Sequence, residues 1–334
     1  MSNELFKVAL VGCGVISENH LKALTENENV CVVALCDKKL ERANKRAAEY
    51  NLNCKIYQNY EEMLDSERLD AVHICTPHYL HAPMTLSALK HNINVFLEKP
   101  TAINEKELLE MIEAEKAGSA KVCICFQNRY NPSTILAKKL VEEDGGALSA
   151  IGSLFWERNE EYYTKSDWRG RYATEGGGAM INQAIHTIDL LCEFLGRPIA
   201  VTATASNHKH KGIIEVEDTC EGIINFDTGK CGNFYATTSF HTFDSTTVFL
   251  KTKNHTIDMR HGHLYIDDEK CDPEDNDTRV IGKPCYGSGH FILIKKFYTA
   301  LREDAPMPVS LESAQWAIRI LLAAYNSNDQ EVKI

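Results

Sequence analysis

Leu5-Phe6-Lys7-Val8-Ala9-Leu10-Val11-Gly12-Cys13-Gly14-Val15-Ile16-Ser17 is the stretch that decides the fold. Its apolar run suits a buried strand, and a helical pattern begins at Ser17. In a strand–turn–helix the first glycine makes the tight turn. The second lets a pyrophosphate approach the backbone, and the third small residue lets the helix pack on the strand. Phosphates then lie against free N–H groups at a helix N-terminus, where the macrodipole favours negative charge. Val30–Cys36 reads as a second buried strand and ends on Asp37, where an acid about 20 residues past the glycines is the expected ligand of a ribose 2′-OH. The expected cofactor is NAD in preference to NADP, because a 2′-phosphate would meet the Asp37 charge at short range.

Outward from this unit the strand–helix alternation continues. Lys55–Tyr57, Ala71–Cys75, Asn94–Leu97 and Lys121–Phe126 read as strands, with helical patterns between them. Asn104 with Glu107 resembles a capping-box start for a helix ending near Gly118. Repeated β-α-β units imply a parallel sheet with helices on both faces and ligands beyond the strands' C-terminal ends. Past residue 126 the pattern changes. Asn131-Pro132 opens a helix with Asn as its cap, a strand follows over Ala150–Arg158, and Gly176-Gly177-Gly178 opens an amphipathic helix ending at Leu195-Gly196. From Ile199 to about Asp268 apolar and polar residues alternate, and Asn225–Lys230 supplies a hairpin turn. Two helices, from His290 and from Leu311, close the chain. The fold expected is α/β: a Rossmann dinucleotide-binding domain over residues 1–126, then an α+β domain over 127–334 with an open, mostly antiparallel sheet.

Composition sets bounds. The chain has 334 residues, 44% apolar and 25% charged, enough for two domains with real cores. A net charge of −11 with no basic block argues against nucleic-acid or anionic-membrane partners. No stretch approaches the roughly 20 apolar residues of a membrane span, and residues 1–7 lack a signal-peptide core. Twelve scattered cysteines, several inside expected strands, read as reduced thiols of a cytoplasmic protein. His208-x-His210 and His261-x-His263 each put paired histidines on one strand face, but these pairs and Cys123-x-Cys125 lack further ligands at metal spacing, so no metal is expected.

Four segments in order carry a family resemblance: Gly12-Cys-Gly14-Val15-Ile16, Cys75-Thr76-Pro77-x-x-x-His81-Ala-Pro83, Glu98-Lys99-Pro100, and Gly176-Gly-Gly-Ala-Met-Ile-Asn182-Gln-Ala-Ile-His186-Thr-Ile-Asp189. With the closing Tyr286-Gly-Ser-Gly-His290, the whole chain resembles the Gfo/Idh/MocA oxidoreductases, relatives of glucose–fructose oxidoreductase and inositol dehydrogenase. The resemblance implies an oxidoreductase transferring hydride between nicotinamide and a sugar, cyclic polyol or sugar derivative. It also implies a second domain that binds substrate and builds a homodimer or homotetramer. Two alternatives on the same fold are an NAD-using glycoside hydrolase, which releases no NADH, and a non-catalytic NAD-sensing regulator.

By that resemblance Lys99 and His186 are the catalytic pair. Imidazole titrates near neutral pH and can take the hydroxyl proton in one direction and return it in the other; an ammonium steadies the developing alkoxide. The cofactor residues implied are Gly12, Gly14, Val15, Ile16, Asp37, Thr76, Pro77, His81, Glu98, Lys99, Asn128, Trp168 and Arg169. Those implied for substrate are Lys99, Arg129, Trp168, Asn182, His186 and Tyr286. Many family members carry Asp four residues before the histidine, where this chain has Asn182. An Asp–His dyad is therefore absent, and Asn182 is expected to orient substrate from the same helix face as His186.

Overall fold

The computed structural model describes residues 4–240, 245–260, 262–273 and 287–334. Tyr286 and His261 lie outside them. The chain separates into two compact units, one of residues 1–102, 106–125 and 290–313, the other of residues 103–105, 126–289 and 314–334.

The first unit is built on a six-stranded parallel sheet. Its strands are β1 (Phe6–Val11), β2 (Val30–Cys36), β3 (Lys55–Tyr57), β4 (Ala71–Ile74), β5 (Asn94–Leu97) and β6 (Val122–Ile124), in the order β3-β2-β1-β4-β5-β6. Strand order reverses between β1 and β4, which pair in parallel from Val8↔Ala71 to Val11↔Ile74. The C-terminal ends of these two strands therefore form the crevice where a ligand is expected. Val8 to Val11 and Ala71 to Ile74 are buried throughout, as strands covered on both faces must be. Residues 290–313 return to this unit, a departure from the contiguous 1–126 domain expected. The physical reason is aromatic packing: Phe297 and Tyr298 lie against Phe96 and Phe6, with ring centroids 5.4 Å apart in both pairs.

The second unit carries a nine-stranded sheet. It comprises β7 (Ser149–Phe155), β8 (Pro198–Ser206), β9 (Thr219–Phe226), β10 (Cys231–Thr237), β11 (Ser245–Lys251), β12 (Thr256–Arg260), β13 (His263–Ile266), β14 (Glu269–Lys270) and β15 (Val332–Lys333). The order is β14-β13-β12-β11-β7-β10-β9-β8-β15, antiparallel except where β10 runs parallel to β7. The helix Ile185–Leu195 covers one face; Gly152 leaves room there for Thr187 and Leu191, whose side chains would meet any added Cβ at 2.6 and 3.4 Å. The other face exposes a row of paired positions, Phe249–Ile151–Asn233–Ile223, in which Phe249, Ile151 and Ile223 are exposed.

Local expectations need three corrections. The strand expected over Ala150–Arg158 spans Ser149–Phe155. Asn131 precedes the helix Pro132–Glu143 without capping it by its side chain; its Oδ1 instead accepts the Gly289 N–H at 3.0 Å. His208 and His210 lie beyond β8 rather than on a strand face, in a turn where Asp218 accepts the N–H groups of residues 208, 209 and 210.

Candidate active site

In the first unit the glycine turn is built as its sequence dictates. Gly12 has φ +90°, and a Cβ there would sit 2.5 Å from the Cys75 carbonyl oxygen. Its N–H donates to Cys36 O at 2.8 Å. Only glycine satisfies both demands. Gly14 has open space where a side chain would stand, and Val15 beside it is 88% exposed. Ser17, fully buried, donates its hydroxyl to Gly14 O at 2.6 Å, and Arg46 donates to the same carbonyl at 3.1 Å. The helix Ser17–Thr25 begins at Ile16 with no side-chain cap; the N–H groups of Glu18 and Asn19 turn back to the carbonyls of Val15 and Ile16, and the positive end of the helix dipole favours an anion there. Asp37 stands at the end of β2 with Oδ2 accepting Cys13 N–H and Oδ1 accepting Lys39 N–H, both at 2.8 Å. Thr76, past the end of β4, has a buried hydroxyl oxygen with no hydrogen-bond partner among the described residues. An open cradle, an uncapped helix N-terminus and an orphaned hydroxyl fit a dinucleotide. Asp37→Ser is expected to narrow any preference for NAD over NADP, read by titrating both cofactors into each variant.

Two residues expected at the cofactor face inward. His81 is buried between two carbonyls, with Nδ1 2.7 Å from Pro100 O and Nε2 2.9 Å from Thr76 O. It ties the segment after β4 to the segment after β5, and so braces Thr76 and Lys99 rather than presenting a free ring. Glu98 is also buried. Its Oε1 lies 2.9 Å from His20 Nε2, and its Oε2 accepts the Lys99 N–H at 3.2 Å. Burial pushes its carboxyl up, but the histidines His20 and His290 outweigh that and hold it well below the usual range. Lys99 follows on the strand end, half-buried.

Sequence reasoning missed the company Glu98 keeps. His20, Glu98, Cys125 and His290 place one potential ligand atom each within 4.8 Å of one another, all four residues buried. Cys, His and Glu are zinc ligands, so this cluster is the place among the described residues where a metal would fit. The signals available were His20 in the first helical pattern, Glu98 at the close of one strand and Cys125 in another.

In the second unit the Gly176–Gly178 run is explained by contact. A Cβ on Gly176 would meet Ile103 at 2.7 Å, on Gly177 the Tyr325 hydroxyl at 2.1 Å, and on Gly178 the Glu217 carbonyl oxygen at 1.8 Å. Glu217 also caps the turn beyond the glycines, its carboxylate accepting the N–H groups of Gly178 (2.8 Å) and Met180 (2.9 Å) and the Tyr325 hydroxyl (3.2 Å). Burial pushes that carboxyl up to about 7 against the pull of these donors. Met180–Ala184 forms a π-helical turn that runs into Ile185–Leu195. The expected straight helical face shared by Asn182 and His186 is thus interrupted by a wider turn, a feature common at functional sites.

Asn182 Nδ2 donates to Glu175 Oε1 at 2.5 Å and lies 3.4 Å from the Tyr162 hydroxyl. Gln183 donates to the same hydroxyl at 3.1 Å. Glu175, itself buried, accepts the Gly170 N–H through its other oxygen. His186 is half-buried, edge-on to Phe126 at 5.9 Å, with Nε2 3.5 Å from Gln127 Nε2. Trp168 and Arg169 sit on one loop. The Arg169 guanidinium stacks on Trp168 at 4.7 Å and on Tyr162 at 4.4 Å, while Thr174 donates to Trp168 O at 2.6 Å. Asn128 is half-buried in a short 3₁₀ turn, Gln127–Tyr130.

Arg129 departs from the substrate role expected of it. Its guanidinium grips Asp189 in a two-pronged pair, Nε–Oδ2 2.8 Å and Nη2–Oδ1 2.5 Å, and reaches Glu193 through Nη1 at 2.7 Å. The side chains of Arg129 and Asp189 are 7% and 1% exposed. This is a buried fork–fork pair anchoring the helix that carries His186.

Residues 6–126 match the NAD-binding Rossmann fold of the Gfo/Idh/MocA oxidoreductases, and residues 134–254 match that family's C-terminal domain. The chain belongs to the Gfo/Idh/MocA oxidoreductase family, and its first unit is an NAD-binding Rossmann domain. It is 30% identical over 197 residues to oxidoreductase P35 of Formosa agariphila, covering 56% of this chain and 60% of that protein. It is 33% identical over 138 residues to inositol 2-dehydrogenase of Salmonella typhimurium, covering 41% of each. The chain thus spans between about two fifths and three fifths of these curated relatives. A levoglucosan dehydrogenase solved with NADH and levoglucosan has the same fold, with TM-score 0.89, 22% identity and coverage of 99% of this chain and 100% of that one.

Proposed function

We propose that this protein is an NAD-dependent dehydrogenase of a ring-shaped polyhydroxyl compound, a cyclic polyol, sugar or sugar derivative. NAD held in the glycine-turn cradle would supply the acceptor for the hydride of the carbinol carbon. His186 takes the hydroxyl proton and Lys99 stabilises the charge that develops on that oxygen. Asn182 and Trp168 orient the ring by hydrogen bonding and stacking.

The observation that carries this reading is the polar set at the π-helical turn leading into the His186 helix: Asn182 of that turn bonds Glu175 and the Tyr162 hydroxyl, and Gln183 bonds the same hydroxyl. A preorganised polar set of this kind suits a substrate with several hydroxyls. The relatives named for inositol and levoglucosan support the same class. The exposed Phe249–Ile151–Ile223 row supports a homodimer or homotetramer, since an apolar sheet face is a natural interface.

A panel of inositols, aldoses, anhydrosugars and nucleotide-sugar acids, scored by released NADH, tests the reading. Turnover is expected with at least one of them and none with simple aliphatic alcohols. Activity confined to alcohols without a polyhydroxyl ring would overturn it, and glycoside cleavage without NADH release would point to the hydrolase alternative.

A further inference from the structure

Glu175 closes the short helix Tyr172–Glu175 of the second unit and is only 1% exposed. A carboxylate taken out of water needs donors on its oxygens. It has one on each: Oε2 accepts the Gly170 N–H and Oε1 accepts from Asn182 Nδ2, both at 2.5 Å. The two donors belong to different elements. Gly170, at φ +78°, follows Trp168 and Arg169 on their loop, and Thr174 ties the same loop down by donating to Trp168 O at 2.6 Å. Asn182 lies in the π-helical turn Met180–Ala184.

This pairing fixes which way the Asn182 amide faces. A carboxylate oxygen accepts, so the amide turns its NH₂ group to Glu175. The Tyr162 hydroxyl, 3.4 Å from the same Nδ2, takes the second hydrogen. Tyr162 is itself held in place: the Arg158 and Arg169 guanidiniums lie over its ring at 4.8 and 4.4 Å, and Gln183 Nε2 reaches its oxygen at 3.1 Å. With both amide hydrogens used, what Asn182 offers a further partner is its carbonyl oxygen, an acceptor. The pairing also gives a physical reason for an amide at position 182. An aspartate there would set a second carboxylate against buried Glu175, and two carboxylates so close cannot both ionise.

We propose that Glu175 is a positioning residue for substrate. Through one oxygen it makes Asn182 a hydrogen-bond acceptor for a ring hydroxyl, and through the other it holds the loop of Trp168 and Arg169. Asn182 then selects a substrate group that can donate, a hydroxyl or an amine, against an ether oxygen that cannot. The inference rests on Asn182 as a substrate ligand of the proposed dehydrogenase, but the orientation of its amide is measurable without any substrate.

The test has two arms, both on the full chain. In the first, asparagine is ¹⁵N-labelled and the Asn182 side-chain amide signal is assigned by its loss in Asn182→Asp. One of its protons is expected downfield, since hydrogen bonds to ionised acceptors are the short, strong ones, and it should move back in Glu175→Gln. The second arm uses the member of the polyol and sugar panel with the fastest NADH release. Glu175→Gln keeps the shape of the side chain but lets the Asn182 amide turn over. It is expected to raise KM about 10-fold, the scale of one hydrogen bond, with a smaller loss in kcat. Asn182→Asp alone is expected to lose at least as much. Glu175→Gln combined with Asn182→Asp exchanges amide and carboxylate between the two positions. It matches every donor to an acceptor and still offers substrate an acceptor at position 182, so KM is expected to return close to wild type.

An amide signal unmoved by Glu175→Gln in a folded protein overturns the pairing. A folded double variant with KM as poor as the single ones overturns the acceptor role, because an aspartate has no N–H to give. Lower thermal stability in the single variants with KM unmoved would make Glu175 structural only and overturn the proposal. If no panel member releases NADH while the amide signal shifts as expected, the dehydrogenase reading falls and the orientation set by Glu175 stands.

Discussion

Lys99→Ala and His186→Ala are each expected to cut kcat by about 10²–10⁴-fold, the usual contribution of a positioned acid–base group. Cofactor binding should survive both changes. The cradle proposed for NAD comprises the glycine turn, Asp37 and the N-terminus of Ser17–Thr25, and neither substitution touches those groups. Steady-state kinetics with NADH fluorescence titration separates the two effects. The double variant should be little worse than either single one, because residues acting in one step are far from additive. Wild-type turnover in both single variants, with cofactor bound normally, would mean the chemistry lies elsewhere.

Arg129→Met is expected to destabilise the protein by about 3–5 kcal/mol, as breaking one side of a buried ion pair does. The substitution keeps length and apolar stem but strands Asp189, 1% exposed, and frees Glu193 from its 2.7 Å partner. Thermal and denaturant unfolding measure this directly. The alternative that Arg129 grips substrate predicts the opposite pattern, near-native stability with a raised KM. Arg129→Met with Asp189→Leu should recover much of the loss, since replacing both ions removes the uncompensated charge.

The contrast between Arg129 and Lys99 marks where sequence reasoning reaches. The β-α-β alternation, the strand bounds at Val30–Cys36, Lys55–Tyr57 and Asn94–Leu97, and the glycine turn were legible because they depend on short-range rules: burial period, turn sterics and helix starts. The antiparallel second sheet was legible for the same reason. A long arginine beside other polar residues, by contrast, can turn toward solvent, substrate or a buried acid, and spacing alone does not choose. Asp189 chooses, 60 residues away.

The sequence by itself determined the two layers of chemistry-bearing scaffold: a parallel sheet whose strand ends carry Gly12, Asp37, Thr76 and Lys99, and a glycine-led helix carrying Asn182 and His186. Tertiary structure decided what stands behind them. Each of the His20–His73, His20–Glu98 and His73–Tyr298 contacts joins residues 53 to 225 positions apart. No local period encodes such a chain. It exists because the helix Gly289–Glu303 brings Tyr298 onto the sheet, against Phe6 and Phe96's neighbour Phe297. Burial there leaves each polar group only the partners that packing supplies, so the hydrogen-bond order is a property of the folded core.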